Sequence, residues 1–77
     1  MFINITLESD QHKADIRIDS EQKISMGLGV LRESGKMPPG KMPAYFRSKQ
    51  GEKLVSAYKT FAEEGIFDGD ILSAINQ

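Results

Sequence analysis

The feature that most constrains this chain is a change of hydrophobic period before Leu31. Ile3, Ile5 and Leu7 alternate with Asn4, Thr6 and Glu8, and Ala14, Ile16 and Ile18 alternate with Asp15, Arg17 and Asp19. A period of two places each set on its own face of an extended strand. The polar stretch Ser9 to Lys13 between them carries turn chemistry, so the two runs are expected to form a hairpin. The period then lengthens. Ile24, Leu28 and Leu31 recur at i, i+4 and i+7, with Met26 and Val30 widening the stripe. That pattern predicts an amphipathic helix of about 13 residues, capped by Ser20 with Glu21 in its first turn, and closed by Gly35 in a left-handed cap. Gly27 and Gly29 stand inside it, each costing up to about 1 kcal/mol relative to alanine. Close packing of helix on sheet is the preferred reason, and a partner backbone approaching the helix is the alternative.

The rest of the chain supplies shorter elements. Lys36 to Pro43 holds Pro38, Pro39, Gly40 and Pro43 and is expected to be an irregular loop. Its Met37 and Met42 suit either gap-filling or a contact surface. Ala44 to Ser48 reads as a strand, Lys49 to Glu52 as a turn, and Lys53 to Ser56 as a short strand centred on Leu54 and Val55. Thr60 can cap a single helical turn ended by Gly65-Ile66, Asp68-Gly69-Asp70 is a turn, and Ile71 to Ile75 is the last strand. The order strand, strand, helix, strand, strand, short helix, strand is that of an α+β β-grasp domain. It predicts a mixed sheet of about five strands with one main helix packed across it, the first and last strands pairing in parallel at its centre.

Composition narrows the function. A chain of 77 residues makes one domain, taken as 1–77, and not two. Such a domain buries only about 60% of the surface its unfolded chain exposes, leaving little room for a deep substrate cavity. Cysteine is absent, which removes disulfides and thiolate metal sites. No leader-like n-region and no apolar run of about 20 residues occurs, so a soluble, cytoplasmic protein without direct membrane insertion is expected. A net charge of -1 with 27% charged residues argues against a dedicated nucleic-acid binder. The charges are uneven: Arg32, Lys36, Lys41, Arg47, Lys49 and Lys53 precede an acidic run of Glu63, Glu64, Asp68 and Asp70. That distribution is either a solvated mixed surface or a bipolar one that orients a partner.

Candidate chemistry is sparse. His12 is the only histidine, falls in the expected hairpin turn, and has no positioned partner for acid–base work. Asp68 and Asp70 flank Gly69 without the rest of a calcium loop. Neither a phosphate-binding glycine motif nor a nucleophile elbow occurs. No catalytic residue, metal or cofactor is therefore expected, and the chain is expected not to be an enzyme.

The stretch from Lys59 to Leu72, Lys-Thr-Phe-Ala-Glu-Glu-Gly-Ile-Phe-Asp-Gly-Asp-Ile-Leu, resembles the closing segment of ubiquitin-like domains. In them a capped turn, a Gly-Ile step and a Gly-Asp turn feed the last strand. Phe61 and Ile66 are spaced to cover the open end of the core, and Gly69 supplies permissive dihedrals before the strand. With Met37-Pro38-Pro39 after the helix and the compact length, the chain is similar to the YukD/EsaB family, small ubiquitin-like proteins of type VII secretion systems in Gram-positive bacteria. That resemblance implies a cytosolic accessory or regulatory protein acting through protein–protein contact, with a secretion-machine component as partner. Conjugated ubiquitin-like proteins and sulfur carriers end in a flexible Gly-Gly tail, whereas this chain ends Ile75-Asn76-Gln77. A carrier or modifier acting through its C-terminus is thus disfavoured, and a β-grasp RNA-binding module using the Arg32–Lys53 basic segment is a third reading.

Strand alternation gives a candidate partner-binding face. With Phe46, Leu72 and Ala74 turned to the core, Tyr45, Arg47, Ile71, Ser73 and Ile75 lie together on the outer face of the sheet. Tyrosine and arginine are enriched at binding hot spots. Met37 and Met42 are possible loop contacts. A monomer or weak homo-oligomer is expected.

Overall fold

The alternation in the first third of the chain holds two strands in unbroken antiparallel register, from Phe2 opposite Asp19 to Ser9 opposite His12. The computed structural model describes residues 1–75. Its elements are β1 (Phe2–Ser9), β2 (His12–Asp19), α1 (Ile24–Glu33), β3 (Tyr45–Ser48), β4 (Lys53–Ser56) and β5 (Ile71–Ile75). The hairpin turn is tighter than the polar stretch suggested. Only Asp10 and Gln11 lie outside the strands, at φ 50° and 65°. Both central residues in the left-handed region make a mirror-image turn, whose twist matches that of the strands it joins. His12 accordingly begins β2, and its Nδ1 lies 2.9 Å from the Asp10 carbonyl oxygen.

The helix is shorter than its pattern and starts later. Lys23, in extended conformation, precedes Ile24, and no side chain caps the helix. Ser20 and Glu21 stay outside because other groups hold them. The Asp19 carboxylate accepts the Glu21 N–H at 3.1 Å, and Ser20 bonds Met1 and Ala62 through its backbone. The first helical N–H groups are satisfied from afar instead. Ile24 donates to the Lys59 carbonyl at 3.0 Å and Ser25 to the Ala57 carbonyl at 2.8 Å. At the far end Gly35 has φ 78°, Lys36 donates to Leu31 and Gly35 to Arg32, which together form the Schellman closure.

Ile24, Gly27, Leu28 and Leu31 form the buried stripe, while Met26 and Val30 are exposed rather than part of it. At Gly27 a Cβ would sit 3.3 Å from Phe61 Cζ and 3.6 Å from Ile18 Cδ1, the close packing expected there. At Gly29 a Cβ would meet nothing within 4 Å, so packing does not account for that glycine.

The sheet order is β2-β1-β5-β3-β4. β5 is parallel to β1, with Leu7 opposite Leu72, and antiparallel to β3, with Phe46 opposite Ala74. The last strand is therefore central, as the element order predicted. Ile3, Ile5, Leu7, Phe46 and Leu72 of the sheet form one apolar cluster with Leu28 of the helix and Phe61. Met37 is 3% exposed within that cluster and Met42 packs against it, so Met37 fills the core and offers no contact surface. The proline-bearing loop is held by Arg32, whose guanidinium donates to the carbonyl oxygens of Pro38 (3.1 Å), Gly40 (3.0 Å) and Lys41 (3.1 Å).

Residues 60–66 form hydrogen-bonded turns rather than a helix. Thr60 and Glu63 cap each other: Thr60 Oγ1 accepts the Glu63 N–H at 3.0 Å and Glu63 Oε1 accepts the Thr60 N–H at 2.9 Å. Gly69, at φ 89°, turns the chain into β5.

Candidate functional site

The face of the sheet away from the helix carries the candidate residues. The observed register opposes Tyr45 to Ile75 and Arg47 to Ser73, as alternation required. Tyr45 is 46% exposed, Arg47 is exposed, and Ile71, Ser73 and Ile75 are half-buried. Sequence reading therefore placed all four candidate residues, Tyr45, Arg47, Ile71 and Ile75, on one surface. It missed Leu54. That residue was assigned to the middle of its strand, yet it lies opposite Arg47 at 57% exposure while Val55 points inward. The signal was available: Phe46 inward fixes its opposite, Val55, inward, so Leu54 must face out.

One row runs across every strand of this face: Lys13, Glu8, Ser73, Arg47 and Leu54. Glu8 Oε1 accepts the Ser73 hydroxyl at 2.7 Å, which holds the middle of the row. Among the described residues neither the Tyr45 hydroxyl nor the Arg47 guanidinium forms a hydrogen bond or ion pair within the chain. The result is an uncommitted cation beside Tyr45, flanked by Leu54 and Ile75. This is the composition of a contact surface with an apolar centre and polar edges. A cleft of about 220 Å³ adjoins it, lined by Arg47, Ser48, Lys49, Glu52 and Ser73. A second, of about 390 Å³, lies beside the β1–β2 turn against Glu8, His12, Lys13 and Ser73. Both are open surface depressions with walls of mixed polarity, unlike the mostly apolar enclosures that hold small ligands. No group of three or more His, Cys, Asp or Glu side chains among the described residues is placed to hold a metal ion.

The carboxylates of the acidic run are tied into the fold while Glu63 and Asp68 stay exposed. Glu63 caps Thr60, Glu64 accepts the Ser56 N–H, and Asp68 accepts the Asn4 N–H at 2.7 Å. Asp70 is 2% exposed and accepts the Ser48 hydroxyl, the Gln50 N–H at 3.0 Å and the Ile71 N–H at 2.7 Å. The Thr60 N–H and hydroxyl hold the exposed Glu63 carboxyl below its ordinary value of 4.5. The Glu21 N–H and then the chain-terminal ammonium do the same for Asp19, ordinarily 3.8. Arg32, in the basic segment, spends three of its N–H donors on the loop.

No family model matches the chain, and no curated protein sequence is detectably similar to it. Solved structures are. The ubiquitin-like domain of an Arabidopsis thaliana protein superimposes with a TM-score of 0.67 at 15% identity, over 96% of this chain and 76% of that one. The chain has the ubiquitin-like β-grasp fold. A ubiquitin from Caldiarchaeum subterraneum matches over 100% of this chain and 98% of its own, with a TM-score of 0.59 and 12% identity. The ubiquitin-like domain of the Mycobacterium tuberculosis type VII secretion system protein EccD1 matches over 99% of each chain, with a TM-score of 0.59 and 14% identity. At these identities the likeness is one of fold. In this ubiquitin-like domain the expected Gly-Gly comparison falls on Asn76-Gln77, which lie outside the described residues. Among the described residues no helix is long and apolar enough to cross a membrane.

Proposed function

We propose that this ubiquitin-like domain is a noncatalytic protein-binding module, an accessory or regulatory component of a type VII secretion system of the YukD/EsaB kind, working in the cytoplasm of Gram-positive bacteria. The observation that carries the reading is the exposed outer sheet face, where Tyr45, Leu54 and Ile75 surround an Arg47 with no internal partner among the described residues. A flat face built of an aromatic ring, aliphatic side chains and a free guanidinium suits a protein surface rather than a small substrate. The fold shared with a type VII secretion domain supports the cellular setting. The Met-Pro-Pro loop and the Gly-Ile…Gly-Asp closing motif support the family.

Affinity capture from source-cell extract, membrane fraction included, tests this. Wild type is compared with a Tyr45→Ala/Ile75→Ser variant shown to fold. Secretion-machine components retained by wild type and lost with the variant are the expected result. Retention by both would move the site off this face, and failure to retain any such component would overturn the cellular assignment.

A further inference from the structure

The edge strand β2 carries charges in strict alternation on the outer face: Lys13, Asp15, Arg17 and Asp19. β2 ends the sheet, pairs only with β1, and contains neither proline nor a bulge along its eight residues. Natural edges of that length are normally blunted by such devices or by charged side chains, and here the charges are of both signs and so can pair as well as repel. The opposite edge, β4, has four residues.

The backbone of β2 is also in position to accept another strand. Thr6 donates its N–H to Asp70, and Asn4 directs both its N–H and its carbonyl oxygen toward residues 68–69. In an antiparallel pair, opposed residues either both bond each other or both turn away. Asn4 and Thr6 oppose Arg17 and Asp15, so those two present their N–H and C=O groups to the open edge. Among the described residues Lys13, Asp15 and Arg17 make no backbone hydrogen bond to a turn or loop.

We propose that β2 pairs antiparallel with β2 of a second copy of this chain, about a two-fold axis through Ile16, to form a continuous ten-stranded sheet. The charge sequence selects the register. With Ile16 opposite the partner's Ile16, Asp15, which also accepts the Thr6 hydroxyl at 2.6 Å, faces the partner's Arg17, and Lys13 faces the partner's Asp19, whose carboxylate also holds the chain-terminal ammonium; each pair occurs twice. Moving the axis to Asp15 sets Asp15 against the partner's Asp15 and Lys13 against the partner's Arg17. Moving it to Arg17 sets Arg17 against the partner's Arg17 and Asp15 against the partner's Asp19. Directly opposed like charges destabilise a sheet and unlike ones stabilise it. The same register places the half-buried Ala14 and Ile16 against apolar partners on the helix side. One strand pair buries less than the area of a standard stable interface, so the dimer is weak and exchanges rapidly.

The test needs only the purified chain, so its result is independent of the sheet-face assignment above. Sedimentation equilibrium at low salt, up to about 1 mM protein, is expected to show a reversible dimer that added salt dissociates. Asp15→Arg and Arg17→Asp each place like charges opposite one another, and each alone is expected to weaken association by roughly tenfold or more. The double variant restores opposite charges and is expected to dimerise again. An equimolar mixture of the two single variants is expected to form the heterodimer. Denaturation of each variant checks its folding. A wild type that stays monomeric throughout, single variants that dimerise as well as wild type, or a mixture and double variant that both stay monomeric would overturn the proposal.

Discussion

Gly27 and Gly29 lie on one helix, two residues apart, and only the second should gain stability when replaced by alanine. Alanine is more favourable than glycine in a helix interior by about 0.8–1.0 kcal/mol. At Gly29 nothing stands within 4 Å of the added Cβ, so the gain should appear undiminished. At Gly27 the Cβ meets Phe61 Cζ at 3.3 Å, with Ile18 Cδ1 and Leu7 Cδ1 at 3.6 Å. Phe61 is fully buried and would have to give by a few tenths of an ångström. Overpacking a tight core costs about 1–3 kcal/mol. Gly27→Ala is therefore expected to range from neutral to about 2 kcal/mol destabilising, after the helix gain is subtracted. Urea unfolding followed by circular dichroism measures both, as midpoint shifts at constant slope. For Gly29→Ala the corresponding rise in melting temperature is about 4–8 °C per kcal/mol for a domain of this size. Equal stabilisation by both substitutions would refute the packing argument at Gly27. Destabilisation by Gly29→Ala would show that the flank of the helix is not open.

Three further expectations follow from individual contacts. Asp70→Ala strands the Ser48 hydroxyl and the N–H groups of Gln50 and Ile71, and should cost about 1–3 kcal/mol or more in urea unfolding. Arg32→Ala should free the 38–41 loop, read as lost amide-exchange protection and sharpened backbone NMR signals there, with the sheet unaffected. Glu63 and Asp19 have folded-state values below their ordinary 4.5 and 3.8, so their contribution is present above that range. It should be lost as pH falls through the lowered values, and Glu63→Gln should flatten the acid limb of stability measured between about pH 5 and 2.

The parts of the fold legible in the sequence are those written in periodicity. β1 and β2 each alternate, Ile24, Leu28 and Leu31 keep helical spacing, and the hairpin's facing followed from which set is apolar. The candidate face followed too, because Phe46 and Leu72 fix their neighbours outward. What escaped depends on residues distant in sequence. Ser20 has the right chemistry for a helix cap, but the helix receives its terminal bonds from Ala57 and Lys59, which no local pattern announces. Met26 and Val30 fit the stripe and are nonetheless exposed, because the sheet covers only the arc centred on Gly27 and Leu28. Asp68 and Asp70 read alike as turn formers. Only the position of Ser48 and Gln50 makes one of them a buried anchor.

The central placement of β5 also orders events in time. Glu8 meets its partner Ser73 across a separation of 65 residues, and nothing nearer in sequence can take that place in the sheet. A lone two-stranded hairpin is at best marginally stable in water. During synthesis at about 5–20 residues per second, Ile3, Ile5 and Leu7 must wait several seconds for the strand that completes their sheet. The nascent chain thus passes through a window in which its future core is open to chaperones and to misassociation. Folding of both halves is gated by the arrival of one five-residue segment. A protease cut just before Ile71 would not trim an edge. It would remove the strand that joins the hairpin to β3 and β4, and separate the sheet along its middle.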